Sequence, residues 1–180
     1  MVSRWRVYWV PAQRVVEAIR VPALGDWEDL EEREARAGIR PGTPILLSPN
    51  CRIGGRLSHF LARSFFARLD PETKRSYATD YCVFVDFLWS RGKNWDEAIS
   101  GDLWDFEDWR TRSVKNPQKV GGALWNRGLA ALGRLYLWAV KQRYVSVSPI
   151  EMRETIGRHG QVVEAPAAGP RTRGPVACAG

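Results

Sequence analysis

The sequence predicts a mainly α-helical protein. Three successive runs carry apolar residues at three- and four-residue spacing, each with a recognisable start or stop. A sharp change of charge along the chain accompanies them. Nine Trp and a hydrophobic content of 44% in 180 residues supply material for a core, which excludes a wholly disordered polyelectrolyte.

The N-terminal part is weakly patterned. Trp5, Val7 and Trp9 alternate, as do Val15, Val16, Ile19 and Val21 more loosely, and Pro11-Ala12-Gln13 offers a turn, so residues 4–21 suit a small β-hairpin. Residues 26–37 read as a short, charged helix stopped by Gly38 and Pro41. Residues 39–55, rich in Pro and Gly, read as an extended linker. Leu57, Phe60, Leu61, Phe65 and Phe66 then give residues 56–68 the spacing of a helix packed on something downstream.

The ordered core begins at Asp70. Asp70-Pro71-Glu72 supplies an N-cap, a proline at the first helical position and an early carboxylate against the dipole, with Thr73 as the alternative cap. Tyr77, Tyr81, Phe84 and Leu88 form one stripe, ended by Arg91-Gly92. A shorter helix starts at Ser100-Gly101-Asp102, carries Leu103, Phe106 and Trp109 inside, and is broken by Asn116-Pro117. The third runs from about Gly121 to Arg143. It is apolar on two faces, which marks the central helix of a bundle. Residues 151–158 suit a polar turn of helix, and residues 160–180 read as linker or disorder. The expected organisation is an N-terminal extension and linker over 1–55, a helical domain over 56–152 and a tail over 153–180.

Charge separates the two halves. Residues 1–109 hold 15 Lys/Arg against 17 Asp/Glu, whereas residues 110–180 hold 12 against 3. No carboxylate occurs between Arg110 and Ile150. A one-sign field over a folded segment repels itself, and a polyanionic partner would relieve it. Cys51, Cys82 and Cys178 show no CxxC and no His at ligand spacing, so they read as reduced thiols of a cytoplasmic protein with no metal or cofactor. No apolar run reaches the ~18 residues of a membrane span, and the N-terminus lacks the apolar stretch of a signal peptide.

One ordered set of residues is similar to a known family. Thr73, Tyr77, Asp80, Phe84, Phe87-Leu88, Gly92, Trp95, Asp102-Leu103, Trp109-Arg110, Trp125-Asn126-Arg127, Leu129-Ala130-Ala131-Leu132, Tyr136, Trp138-Ala139 and Ser148-Pro149-Ile150 follow one another in a pattern that resembles the core-binding domain of tyrosine recombinases, the phage-type integrases. The likeness spans about residues 58–152. It implies a SAM-like four-helix domain forming one jaw of a clamp around double-stranded DNA, with other recombinase subunits as further partners and no small-molecule substrate.

The candidate DNA-binding residues are Thr73, Lys74, Arg75, Arg110, Lys115, Lys119, Asn126, Arg127, Arg134 and Lys141. Lys115 and Lys119 precede the third helix, whose Gly121-Gly122 start suits a phosphate. Asn126 and Arg127 could reach phosphates or base edges. Each charge also reads as an ordinary solvated side chain, and Thr73 as a cap. Trp125, Tyr136 and Trp138 read as core.

The family's chemistry implies a Tyr nucleophile, two Arg, His and a Lys in a separate C-terminal domain. Only about 30 residues follow Pro149 here, and His59 and Arg63 are spaced by four where the family has His-x-x-Arg. The expectation is therefore a truncated, non-catalytic DNA-binding protein. The alternative is a helical protein–protein interaction module, using the apolar residues of 57–66 as its interface.

Overall fold

The computed structural model describes residues 4–11, 36, 40–63, 65–156 and 162–166. The chain divides into two compact units, Met1–Asp86 and Phe87–Gly180. The described residues are mainly helical. The expected helix over 26–37 lies outside them apart from Arg36, as do Val15–Val21 and the tail beyond 166.

In the first unit, β1 (Arg6–Trp9) pairs antiparallel with β2 (Pro44–Leu47), in the register Arg6↔Leu47 to Trp9↔Pro44. This corrects two expectations. The partner of the first strand comes from the supposed linker, not from a local hairpin at Pro11. The Pro-Gly density of 39–55 serves a turn: Thr43 N–H donates to Arg40 O at 2.9 Å, with Pro41 and Gly42 between, and Gly42 sits at φ +76°, where glycine alone is unstrained. Pro44 stands at the end of its strand, where a missing N–H costs little.

Helix α1 (Gly55–Arg63) and a 3-10 turn (Phe65–Arg68) follow, dividing what the spacing predicts as one helix. Helix α2 (Pro71–Trp89) starts as predicted, with Asp70 Oδ1 accepting from Thr73 N–H at 2.9 Å. Phe60 meets Tyr81 edge-on at 5.6 Å between ring centroids, and Phe66 lies 6.2 Å from Tyr81. Leu57, Phe60, Leu61, Phe66 and Tyr81 are all buried and belong to this unit's core, with Phe65 half-buried beside them. Asp86 Oδ1 accepts from Trp5 N–H at 3.0 Å, which ties the chain entering β1 to α2.

The last residues of α2 open the second unit. Helix α3 spans Ser100–Thr111, helix α4 spans Gly122–Lys141, and β3 (Met152–Ile156) pairs antiparallel with β4 (Val162–Pro166). The hairpin corrects the expected helical turn at 151–158 and part of the expected tail. Its register sets Thr155 opposite Val163 and Ile156 opposite Val162, a β-branched pairing that favours strand over helix. Helix α4 buries Leu129, Leu132, Leu135, Tyr136 and Ala139 as expected, whereas Leu124, expected on an inward face, is exposed. Phe106 packs on Phe87 at 5.1 Å and on Trp125 at 5.7 Å.

Two helices end on the same backbone closure with different residues. Lys93 N–H donates to Leu88 O across Gly92 at φ +71°, and Tyr144 N–H donates to Ala139 O across Arg143 at φ +57°.

Two polar contacts hold the second unit's turns. Asp102, 6% exposed, accepts from Lys93 Nζ at 2.7 and 2.9 Å and from Ile99 N–H at 3.0 Å. Burial disfavours its charge, but the Lys93 ammonium and the Ile99 amide outweigh that and hold the carboxyl below its ordinary value. Tyr136 donates its hydroxyl to Trp95 O at 2.6 Å, and burial pushes the phenol above its ordinary range, so it remains a donor.

A carboxyl with a lowered folded value stabilises above its unfolded value and loses that contribution as pH falls through the folded one. Asp102→Asn should therefore cost about 1–2 kcal/mol at neutral pH, discounted for the partly exposed Lys93. The difference from the parent should shrink toward zero in acid, measured by urea unfolding at both pH values; a cost independent of pH would contradict the assignment. Tyr136→Phe, which orphans the Trp95 carbonyl, should lose about 1 kcal/mol in the same assay, and an unchanged midpoint would show that bond to be dispensable.

Candidate nucleic-acid interface

The predicted site residues fall into two groups, one in each unit. In the first, Lys74 and Arg75 sit one turn into α2. They line a cavity of about 490 Å³ together with Trp9, Pro41, Gly42 and Pro71. Thr73 stands apart from this role. Its hydroxyl and amide both serve the Asp70 carboxylate, which they hold below its ordinary value, so Thr73 completes the helix cap. Asp70 and Glu72 precede the two cations in the sequence.

The second group is set by α3, the loop 112–121 and α4. The loop does not wander. Arg110 Nη1 donates to Gln118 O at 2.7 Å, and Val120 N–H donates to Arg110 O at 3.0 Å. Asn116, 3% exposed, donates its carboxamide N–H to Trp109 O at 3.2 Å and accepts from Gln118 N–H at 3.0 Å. Asn116 N–H donates to Ser113 O at 3.1 Å. Arg110 is thus half-buried and engaged with the loop's backbone, while Lys115 and Lys119 are exposed. Among the described residues, neither lysine forms an ion pair.

Helix α4 begins at Gly121 with no side-chain cap and no acidic residue in its first turn. Its first N–H groups and the positive end of its dipole face the same loop. Asn126, Arg134 and Lys141 are exposed and Arg127 is half-buried. Arg127, Arg134 and Lys141 recur every seven residues, two turns of helix, so they form one stripe with steps of about 10 Å. Ala130 and Leu137 stand between them on that face. The stripe lies largely on the exposed side of a helix that buries Leu129, Leu132, Leu135 and Tyr136, and that side also exposes Leu124 and Leu137.

The sequence did not single out Asn116 beyond its turn before Pro117, nor Gln118. A buried Asn bonding the backbone two residues on is a recurrent loop device, so Asn-Pro within a charged loop was the available signal. The partner across the loop, Trp109 O, is set only by the fold.

Among the described residues no cluster of His, Cys, Asp or Glu could hold a metal ion, and no helix is long and apolar enough to cross a membrane. No family model, curated protein or solved structure matches this chain.

The two described cysteines differ in exposure. Cys51 is exposed, whereas burial, with Asp86 nearby, pushes the Cys82 thiol up to about 11. Iodoacetamide at pH 8 should label Cys51 and spare Cys82 in the folded protein, with both labelled in denaturant, as read by peptide mass spectrometry. Rapid labelling of Cys82 in the folded state would contradict its placement.

Proposed function

We propose that this chain binds double-stranded DNA, in the manner of a tyrosine-recombinase core-binding domain, and does not itself cut or join strands. The observation that carries the reading is the acid-free segment from Arg110 to Ile150 folded so that Lys115, Lys119, Asn126, Arg127, Arg134 and Lys141 stand on a loop and one helix face. Such an array suits successive phosphates of a duplex, where each neutralised charge releases counterions. The reading places backbone contacts on Lys115, Lys119, Arg134 and Lys141, and gives Asn126 and Arg127 the reach to base edges. Lys74 and Arg75 belong to the first unit and are secondary contacts in this reading. The resemblance of residues 58–152 to integrases and the mainly helical fold support it.

A second reading, a protein-interaction module, draws on Trp104 at 54%, Leu124 at 48% and Leu137 at 44% exposure. It predicts self-association in sedimentation, with binding indifferent to the cations.

Fluorescence anisotropy on a labelled duplex separates the two. The DNA reading expects log affinity to fall with log salt at a slope steeper than about −3 between about 50 and 200 mM. Lys141→Ala should weaken binding on every duplex sequence and make the slope shallower by about 1. Binding that ignores salt overturns the reading.

A further inference from the structure

We infer that Asn116 and Arg110 are positioning residues: they fix the loop from which Lys115 and Lys119 meet DNA. The inference rests on the DNA-binding reading above and adds to it two residues whose work is geometric.

A lysine on an unconstrained loop gives up affinity when binding orders the loop, and a loop already fixed avoids that loss. The loop 112–121 is fixed at several points. The peptides on either side of Lys119 are both tied to Arg110: Gln118 O accepts from its guanidinium at 2.7 Å, and Val120 N–H donates to its carbonyl at 3.0 Å. Lys119 is therefore held between two bonds to one residue of α3. Asn116 grips from the other end. Its carboxamide accepts from Gln118 N–H at 3.0 Å and donates to Trp109 O at 3.2 Å. Pro117 between them has its φ fixed by its ring. Trp109 in turn packs on Phe87 at 5.4 Å and lies stacked 6.0 Å from Phe106, so the loop is anchored to the aromatic core.

Lys115 is set on the near side of this anchor. Its N–H donates to Ser113 Oγ at 3.3 Å, and the next residue's N–H returns to Ser113 O. Arg110 was expected to touch DNA, but its guanidinium is directed to the Gln118 carbonyl. Asn116 carries no charge and is buried, so any effect it has on DNA affinity must pass through the placement of others.

That separation of roles makes a double-mutant cycle decisive. On the full chain at about 50 mM salt, Asn116→Ala should weaken duplex binding about three- to ten-fold, the range set by re-ordering one or two side chains. In a background carrying both Lys115→Ala and Lys119→Ala the same change should weaken it less than about two-fold, because the residues it acts through are gone. The thermal midpoint should drop equally in both backgrounds, since the structural part of the change does not involve the lysine side chains. Equal weakening in both backgrounds overturns the inference, and so does unchanged binding in both. Arg110→Lys keeps the charge but alters the reach and fork of the donor. It should weaken binding with an unchanged salt slope, and it carries the same cycle if Asn116→Ala fails to fold. Arg110→Lys binding as tightly as the parent overturns the assignment of Arg110. Salt-independent binding by the parent itself is a different result, which removes the DNA reading and this inference together.

Discussion

From Thr111 to Ile150 the chain holds seven cations and no carboxylate, so nothing within that stretch can neutralise it. Everything else in the second unit answers to this constraint. Carboxylates that pair with it must come from outside the stretch, as Asp108 does with Arg112, and apolar packing and hydrogen bonds do much of the folding. Phe106 lies between Phe87 and Trp125, Tyr136 reaches the Trp95 carbonyl, and Asn116 ties the loop to Trp109. A neutral carboxamide at the centre of a cationic loop holds the backbone without cancelling the field around it. An aspartate there could accept the same amide but would remove a unit of positive charge where it is concentrated.

The carboxylates of the second unit are kept to other duties. Asp102 closes the start of α3 and pairs with Lys93, and Asp108 meets Arg112 at 3.4 Å on the exposed side of the same helix. Both partners of Asp102 and Asp108 lie at the margins of the acid-free stretch or before it. The exposed side of α4 carries Asn126, Arg134 and Lys141 together with Leu124 and Leu137. Repulsion along that face is moderate, because steps of about 10 Å approach the screening length of physiological salt.

The parts of this fold that are local were legible in the sequence. Asp70-Pro71 begins α2 and Gly92 ends it, because a cap and a left-handed stop are properties of a few adjacent residues. The buried stripe of α4 through Leu129, Leu132, Leu135 and Tyr136 was equally plain, since its spacing repeats at three and four residues. Pairings across distance were not legible. β1 finds β2 some 35 residues on, and no local signal in Ile45-Leu46-Leu47 names Trp5, Val7 and Trp9 as its counterpart. The β3–β4 hairpin was hidden by the polar residues Arg153 and Glu154, which outweighed the β-branched Thr155, Ile156, Val162 and Val163 in a reading by composition. Of the candidate interface, the charges were visible as letters. Which of them face outward and which brace a loop was not, because Arg110 and Lys119 look alike until Gln118 O is placed between them.

The two matching helix ends carry a consequence for how position 143 can vary. Gly92 adopts its left-handed backbone without strain, while Arg143 does so at a cost of about 1 kcal/mol, partly recovered by a cation beside a helix C-terminus. Folding alone therefore favours glycine there, and surface charge alone favours arginine. A lineage drifting under demand for heat resistance and one drifting under demand for grip on a polyanion would part company at this residue before they did anywhere in the core.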